Sequence, residues 1–307
     1  MNRNSVVVIG SLNYDNIFKL PAMPQMGETM PVDSASVCCG GKGANQAVQC
    51  AKLGMKTYMV GAVGDDYMGK FLVDGLREYE VDTTYVKVVE GTSGFAVVNS
   101  MKDGSVFATI VRGANYAITC EDIDQVEHLF DQAKIVILQL EIPVPVVEYI
   151  IKKANAHGCQ VLLNAAPAEQ ISFESIKACD TFIANEVEAG FYTGRTIKTP
   201  KDAMPAIEEY ARKTGRRCIF TLGKHGAVVH DGKEARFVPA VDAVAVETTG
   251  AGDSFVGGFA KGQMEGLDFF SSVNFASHCS AVTIGSVGAQ NSMPKLEQIK
   301  SYLNGKM

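Results

Sequence analysis

Short runs that are apolar almost throughout recur along this chain, separated by stretches whose apolar residues fall at helical spacing. That alternation leaves few folds open. The runs cover residues 6–9, 57–63, 135–140, 160–164, 181–184 and 218–222. Strands apolar on both faces belong in a parallel sheet covered on both sides. Between them, Met68, Phe71, Leu72, Leu76 and Tyr79 mark a helix over 66–79. Val146, Val147, Ile150, Ile151 and Ala154 mark another, opened by Pro143 and Pro145. Residues 252–266, 269–284 and 294–303 read as three more helices. The expected fold is therefore α/β, a three-layer α/β/α arrangement around a mostly parallel central sheet.

Two stretches break the alternation. Residues 14–20 and 32–38 look like strands, and 94–112 looks like a hairpin turning at Lys102-Asp103-Gly104-Ser105. None has a crossover helix of its own, so they are expected to form a small sheet projecting from the main body. Residues 1–307 then read as one domain with an appended sheet.

With 47% hydrophobic and 20% charged residues, 307 residues can bury a full core. A balance of 28 basic against 34 acidic residues, without a Lys/Arg cluster, argues against a nucleic-acid partner. The apolar run after Asn4 is too short for a signal peptide or a membrane span, so a cytoplasmic protein without a membrane partner is expected. The eight cysteines are scattered, and Cys38-Cys39 lacks zinc-ligand spacing; they read as reduced, small hydrophobes. The histidines lack metal-ligand spacing too, His225 reads as an exposed loop residue, and Met23, Met26 and Met30 read as packing.

Chemistry concentrates in three places. In Glu247-Thr248-Thr249-Gly250-Ala251-Gly252-Asp253-Ser254-Phe255, small residues let the backbone approach a ligand just where a helix begins. The unpaired first amides of that helix suit a phosphate, and the Asp253 carboxylate beside it could take a proton from a hydroxyl. A plain helix cap is the competing reading of Asp253. Cys39-Gly40-Gly41-Lys42-Gly43-Ala44-Asn45-Gln46 supplies polar groups at another helix start, which suits a polyhydroxylated ligand or simply a strand-to-helix turn. Asn13, Asp15, Glu141 and Asn185-Glu186-Val187-Glu188 fall near the ends of predicted strands, where open α/β sheets bind ligands. No Walker or dinucleotide fingerprint occurs.

Together, Gly40-Gly41-Lys42-Gly43-Ala44-Asn45-Gln46, Asn185-x-x-Glu188 and Thr248-Thr249-Gly250-Ala251-Gly252-Asp253-Ser254-Phe255 resemble the ribokinase branch of the PfkB carbohydrate kinase family. The resemblance spans nearly the whole chain. It implies a ribokinase-like fold whose projecting sheet is a lid that closes over a sugar and joins a homodimer. It implies ATP-dependent phosphorylation of a sugar, D-ribose at its 5-hydroxyl, with deoxyribose, fructose or a nucleoside as other acceptors; a sugar sensor without catalysis is the non-enzyme alternative. Carried over by position, Asn13, Asp15, Gly41, Lys42, Asn45 and Glu141 would hold the sugar. Asp253 would be the base, needing no raised pKa, and Gly250, Ala251 and Gly252 would form an anion hole with it. Asn185, Thr221, Gly223, Gly226 and Gly252 would seat the nucleotide, and Glu188 would serve the Mg²⁺ region. Glu247, Thr249, Thr283, Ser286, Gly288 and Ser292 match a K⁺ site, although the family usually has Asp at position 247 and often Pro at position 291, where this chain has Asn291. All of this requires the loop near residue 42 and the turn near residue 252 to meet across one cleft.

Overall fold

A computed structural model describes residues 3–101 and 106–305. In chain order the strands are β1 (Ser5–Ile9), β2 (Asn13–Leu20), β3 (Ser34–Gly40), β4 (Lys56–Gly64), β5 (Asp82–Val89), β6 (Gly94–Met101), β7 (Val106–Val111), β8 (Ala133–Leu138), β9 (Gln160–Asn164), β10 (Thr181–Asn185), β11 (Arg217–Thr221), β12 (Ala227–His230) and β13 (Ala235–Val238). Nine of them form one sheet in the order β13-β12-β11-β10-β9-β8-β1-β4-β5. Its pairs are parallel from β5 through to β11, and β12 and β13 add an antiparallel edge.

The central strands explain why both faces must be covered. Every residue of β1 is fully buried. Because side chains alternate, Val7 and Ile9 join one core with Val136 and Leu138, while Val6 and Val8 join the other with Ile135 and Ile137. Helices pack over each core and start on local signals. Asp66 accepts the Gly69 N–H at 2.7 Å and opens helix Tyr67–Glu78. Thr199 and Asp202 form a reciprocal capping box at helix Pro200–Thr214, which ends on a left-handed Gly215.

The remaining strands form a separate four-stranded sheet, β3-β2-β6-β7, with β2 and β6 parallel and the outer pairs antiparallel. Tyr14 seats this sheet on helix Tyr67–Glu78, its ring edge-on to Phe71 at 5.1 Å.

Several boundaries differ from expectation. β8 stops at Leu138, β3 runs from Ser34 to Gly40, and the last helix spans Leu296–Gly305. The turn expected at Lys102-Asp103-Gly104-Ser105 lies outside the described residues. Met23 and Met26 are exposed rather than packed, because the segment between β2 and β3 runs over the surface. All eight cysteines are free, and Cys50, Cys159, Cys179, Cys218 and Cys279 are buried, as small hydrophobes should be. Among the described residues no helix is long and apolar enough to cross a membrane.

Candidate active site

The two glycine-rich segments meet. Asp253, in the first turn of helix Ala251–Met264, accepts hydrogen bonds from Asn45 Nδ2 and Gln46 Nε2, both at 2.9 Å, more than two hundred residues away in sequence. No side chain caps that helix, so Asp253 is not a cap; its carboxylate faces helix Lys42–Lys52 instead. Each bond continues outward. Gln139 Nε2 donates to Gln46 Oε1 at 2.6 Å, and Gln290 Nε2 donates to Asn45 Oδ1 at 3.0 Å. A carboxylate only accepts, so both amides must turn their NH₂ groups to it, and two further amides must donate behind them. Asp253 is thus held at both oxygens in a fixed orientation.

Glycine is required where these segments approach β2. Gly41 begins helix Lys42–Lys52 at φ +87°, and a Cβ there would lie 2.7 Å from Asn13 N and 2.8 Å from Ser11 O. The close approach brings Glu141 over the same turn, where it accepts from Lys42 N–H at 3.1 Å and from the Ser11 hydroxyl. Asn13 and Asp15 open β2 and share one face of it. Asp15 lies over Gly40, where a Cβ would meet its Oδ2 at 2.0 Å. Asn13, Asp15, Gly41, Lys42, Asn45, Glu141 and Asp253 therefore gather at the junction of the two sheets.

Just before Asp253, Gly250, at φ +78°, turns the chain into helix Ala251–Met264. Ala251 N–H bonds back to Thr248 O at 3.2 Å, and a Cβ on the exposed Gly252 would meet nothing within 4 Å. Asn185 and Glu188 form a reciprocal capping box, with Glu188 accepting from Asn185 N at 2.8 Å and Nδ2 at 3.0 Å. Thr221 ends β11, and the exposed turn Gly223–His225 follows, with Gly226 pressed against Val238 O, where a Cβ would sit at 2.2 Å. The glycine at 226 is thus required by β13.

The pfkB family carbohydrate kinase profile matches residues 3–296. The chain belongs to this family. It is 35% identical over 301 residues to a deoxyribokinase of Salmonella typhi, covering 97% of this chain and 98% of that protein. It is also 35% identical to a ribokinase of Lactococcus lactis, covering 97% and 96%. A solved structure of Arabidopsis thaliana ribokinase with ribose and ATP superposes with a TM-score of 0.91 at 31% identity, covering 99% of each chain.

In this carbohydrate kinase the charges at the junction are strongly coupled. Burial raises the Asp253 carboxyl above the ordinary range, while Lys42, Asn45 and Gln46 pull it down and Glu141 pushes it up. The shift is not one that a base requires; it arises because the site is too dry for the amides and ammonium to offset burial fully. Asp15 is raised to about 7 by burial, then by Glu141 and Asp253, with Lys42 opposing. Burial also raises Glu188, against its bonds to Asn185 and the charge of Lys42. Burial would lower Lys42, yet Asp253, Glu141, Glu188 and Asp15 together hold it above its usual value.

The possible cation residues are partly gathered. Glu247 reaches the Gly288 N–H at 3.1 Å, and both Val246 N and Glu247 N donate to Ile284 O. The Thr283 hydroxyl is fully buried, 2.7 Å from Ser254 Oγ and 2.9 Å from Cys279 O, so it faces the core. Ser292 Oγ donates to Ala289 O at 2.9 Å, and Ser286 N–H to Thr283 O at 3.4 Å. No bond among described residues involves the exposed Thr249 side chain. Asn291 accepts from the Tyr79 hydroxyl at 2.5 Å, and Lys52 Nζ donates to the carbonyls of Gln290, Asn291 and Met293. Ser11, Gln139 and Gln290 were not among the expected site residues; Gln46, expected as a polar group of the glycine-rich turn, instead holds Asp253.

Proposed function

We propose that this kinase transfers the terminal phosphoryl group of ATP to the 5-hydroxyl of D-ribose. The observation that carries the reading is Asp253, fixed at both oxygens at the start of a helix whose leading amides carry no side-chain cap. The ribokinase relatives and the solved ribose and ATP complex support it.

The hydroxyl oxygen attacks the terminal phosphorus in line, forming the new O–P bond as the bond to the β-phosphate oxygen breaks. Asp253 takes the hydroxyl proton and ADP leaves. Gly250, Ala251, Gly252 and Asp253 turn their backbone toward the transferring group, and helix amides there favour developing negative charge. Asn13, Asp15, Gly41, Lys42, Asn45 and Glu141 hold the sugar; Asn185, Thr221, Gly223 and Gly226 border the nucleotide.

No group of three His, Cys, Asp or Glu residues among those described could cage a metal. That suits a Mg²⁺ bound chiefly by nucleotide phosphates and water, with Glu188 nearby; it would neutralise phosphate charge. For K⁺, the Glu247 carboxylate and the backbone oxygens of Thr249, Thr283, Ser286, Gly288 and Ser292 would be the donors, since oxygen ligands suit a hard cation. Equal turnover in K⁺ and Li⁺ at matched ionic strength would remove that site; faster turnover in K⁺ is expected.

The Salmonella relative favours one second reading, 2-deoxyribose as acceptor. The pair Asn13 and Asp15 favours the fully hydroxylated sugar, because a site built to pair hydroxyls rejects analogues lacking them. A panel of pentoses, hexoses and nucleosides scored by ADP formation tests the choice. D-ribose should give the highest kcat/KM; a higher value for 2-deoxyribose would transfer the assignment, and no ADP with any acceptor would leave a sensor.

Asp15 should make sugar binding pH-dependent. Its carboxyl is raised to about 7, so in the free enzyme it gains a proton as the pH falls through neutrality and loses an acceptor for the sugar. The KM for D-ribose should rise as pH drops from 8 to 6, while Asp15→Asn should show a high KM without that slope. A wild-type KM that stays level across this range would count against Asp15 as a sugar contact.

A further inference from the structure

Asn115 lies outside every motif that marks the site, in the short turn Gly113–Ala117 that follows β7. It is 2% exposed and bonded three ways to the segment that carries Asn13. Its Oδ1 accepts from Leu12 N–H at 2.9 Å, and its Nδ2 donates to Leu12 O at 3.1 Å and to Asn13 Oδ1 at 2.8 Å. The direction of this amide is fixed by its neighbours. Leu12 N–H can only donate, so the oxygen of Asn115 must face it and the NH₂ must face Leu12 O and Asn13. Asn13 must then present its oxygen to Asn115, which leaves its own NH₂ turned away, with no protein acceptor among the described residues.

Gly94 keeps the arrangement tight. A Cβ there would lie 2.1 Å from Asn115 Nδ2 and 2.5 Å from Asn13 Oδ1. Gly94 opens β6, and Ala114 N–H bonds to Thr92 O at 2.9 Å, so the root of the small sheet holds Asn115 in place. On β2 the outcome is a donor at Asn13 followed, two residues along the same face, by an acceptor at Asp15. A hydroxyl can accept from the first and donate to the second. If Asn13 were turned over, two acceptors would face the same hydroxyl, whose single proton could satisfy only one.

We propose that Asn115 is a positioning residue that fixes Asn13 as a hydrogen-bond donor toward the sugar, and so sets which way round a sugar hydroxyl must bind. This rests on Asn13 as a sugar contact. Asn115→Asp tests it: one oxygen still accepts from Leu12 N–H, but the other now faces Asn13 Oδ1 and drives that amide to turn over. The KM for D-ribose should rise about tenfold or more, the scale of one lost polar contact that leaves a group unpaired, while the KM for ATP holds. In an Asn13→Ala background the same substitution should have no further effect on the ribose KM, since the amide it acts through is gone.

A ribose KM that rises equally in both backgrounds, or rises in step with the ATP KM and a falling Tm, would make Asn115 scaffold only. Asn13→Ala raising the ribose KM while Asn115→Asp leaves it unchanged would overturn the positioning role and spare the sugar contact. Asn13→Ala leaving that KM unchanged would remove the sugar contact itself, and the positioning role with it. Should Asn115→Asp not fold, Asn115→Ser frees the Asn13 amide without reversing it. It should raise the ribose KM about threefold, again only where Asn13 is present, and an equal rise without Asn13 overturns the role.

Discussion

Asp253→Asn should lower turnover by about two to four orders of magnitude, the usual weight of a positioned general base, while D-ribose still binds. The carboxamide fills the same space but cannot take up the hydroxyl proton. It also disturbs its holders: Asn45 and Gln46 both donate to Asp253, so the new NH₂ faces a donor on one side. One of the two must turn over, and the amide behind it, Gln290 or Gln139, must follow. The pH profile separates loss of the base from this rearrangement. Burial raises Asp253, so in the parent enzyme the rate should fall as the pH drops and that carboxylate gains its proton. The residual rate of Asp253→Asn should lack this acid limb. A variant with near-normal turnover, or one that keeps the limb, would show that another group takes the proton.

The sequence made most of the parallel body legible because strands buried on both faces read as nearly continuous apolar runs, as β1, β4, β8, β9, β10 and β11 do. β5, β12 and β13 were missed. β5 carries Lys87 and exposed Val88, and β13 has two exposed residues out of four, so neither has the apolar continuity that marked the others. The candidate site was legible where glycine and charge cluster, as at Gly41-Lys42 and Gly250-Asp253, which the fold brings together through Asn45 and Gln46. It was illegible at Ser11, Asn115, Gln139 and Gln290, which are neutral polar residues lacking a motif. Their importance comes from being buried with each end of a group facing a specific partner, and burial of that kind is a property of the assembled fold. At Glu247 spacing alone leaves open whether the longer side chain would reach a K⁺ or displace it; in the fold its carboxylate lies at the 288 loop, bonded to Gly288 N–H.

Lys42→Met should cost nearly as much as loss of the base, by a different route. The ammonium is the shared counter-charge of Asp253, Glu141, Glu188 and Asp15. Taking away one partner of a buried charge pair typically destabilises a fold by about 3–5 kcal/mol, and kcat/KM for ribose at neutral pH should fall by roughly two orders of magnitude because less of Asp253 stays ionised as the base. The carboxyls would respond by holding protons to higher pH, which removes the ionised form of Asp253 that the reaction uses. Raising the pH should therefore recover part of the loss. Stability should move the opposite way. A carboxyl whose folded pKa lies above its unfolded value keeps a proton that the unfolded chain has already released, so stability declines as pH rises through that interval. Asp15, Asp253 and Glu188 are already raised in the parent, so its Tm should decline somewhat from pH 5 to pH 8. Without Lys42 these carboxyls rise further, and the decline should be visibly steeper. Parallel Tm curves for parent and variant, together with an activity loss that does not ease at high pH, would mean that Lys42 acts by contact with the substrate alone and not as the charge that keeps these carboxylates ionised.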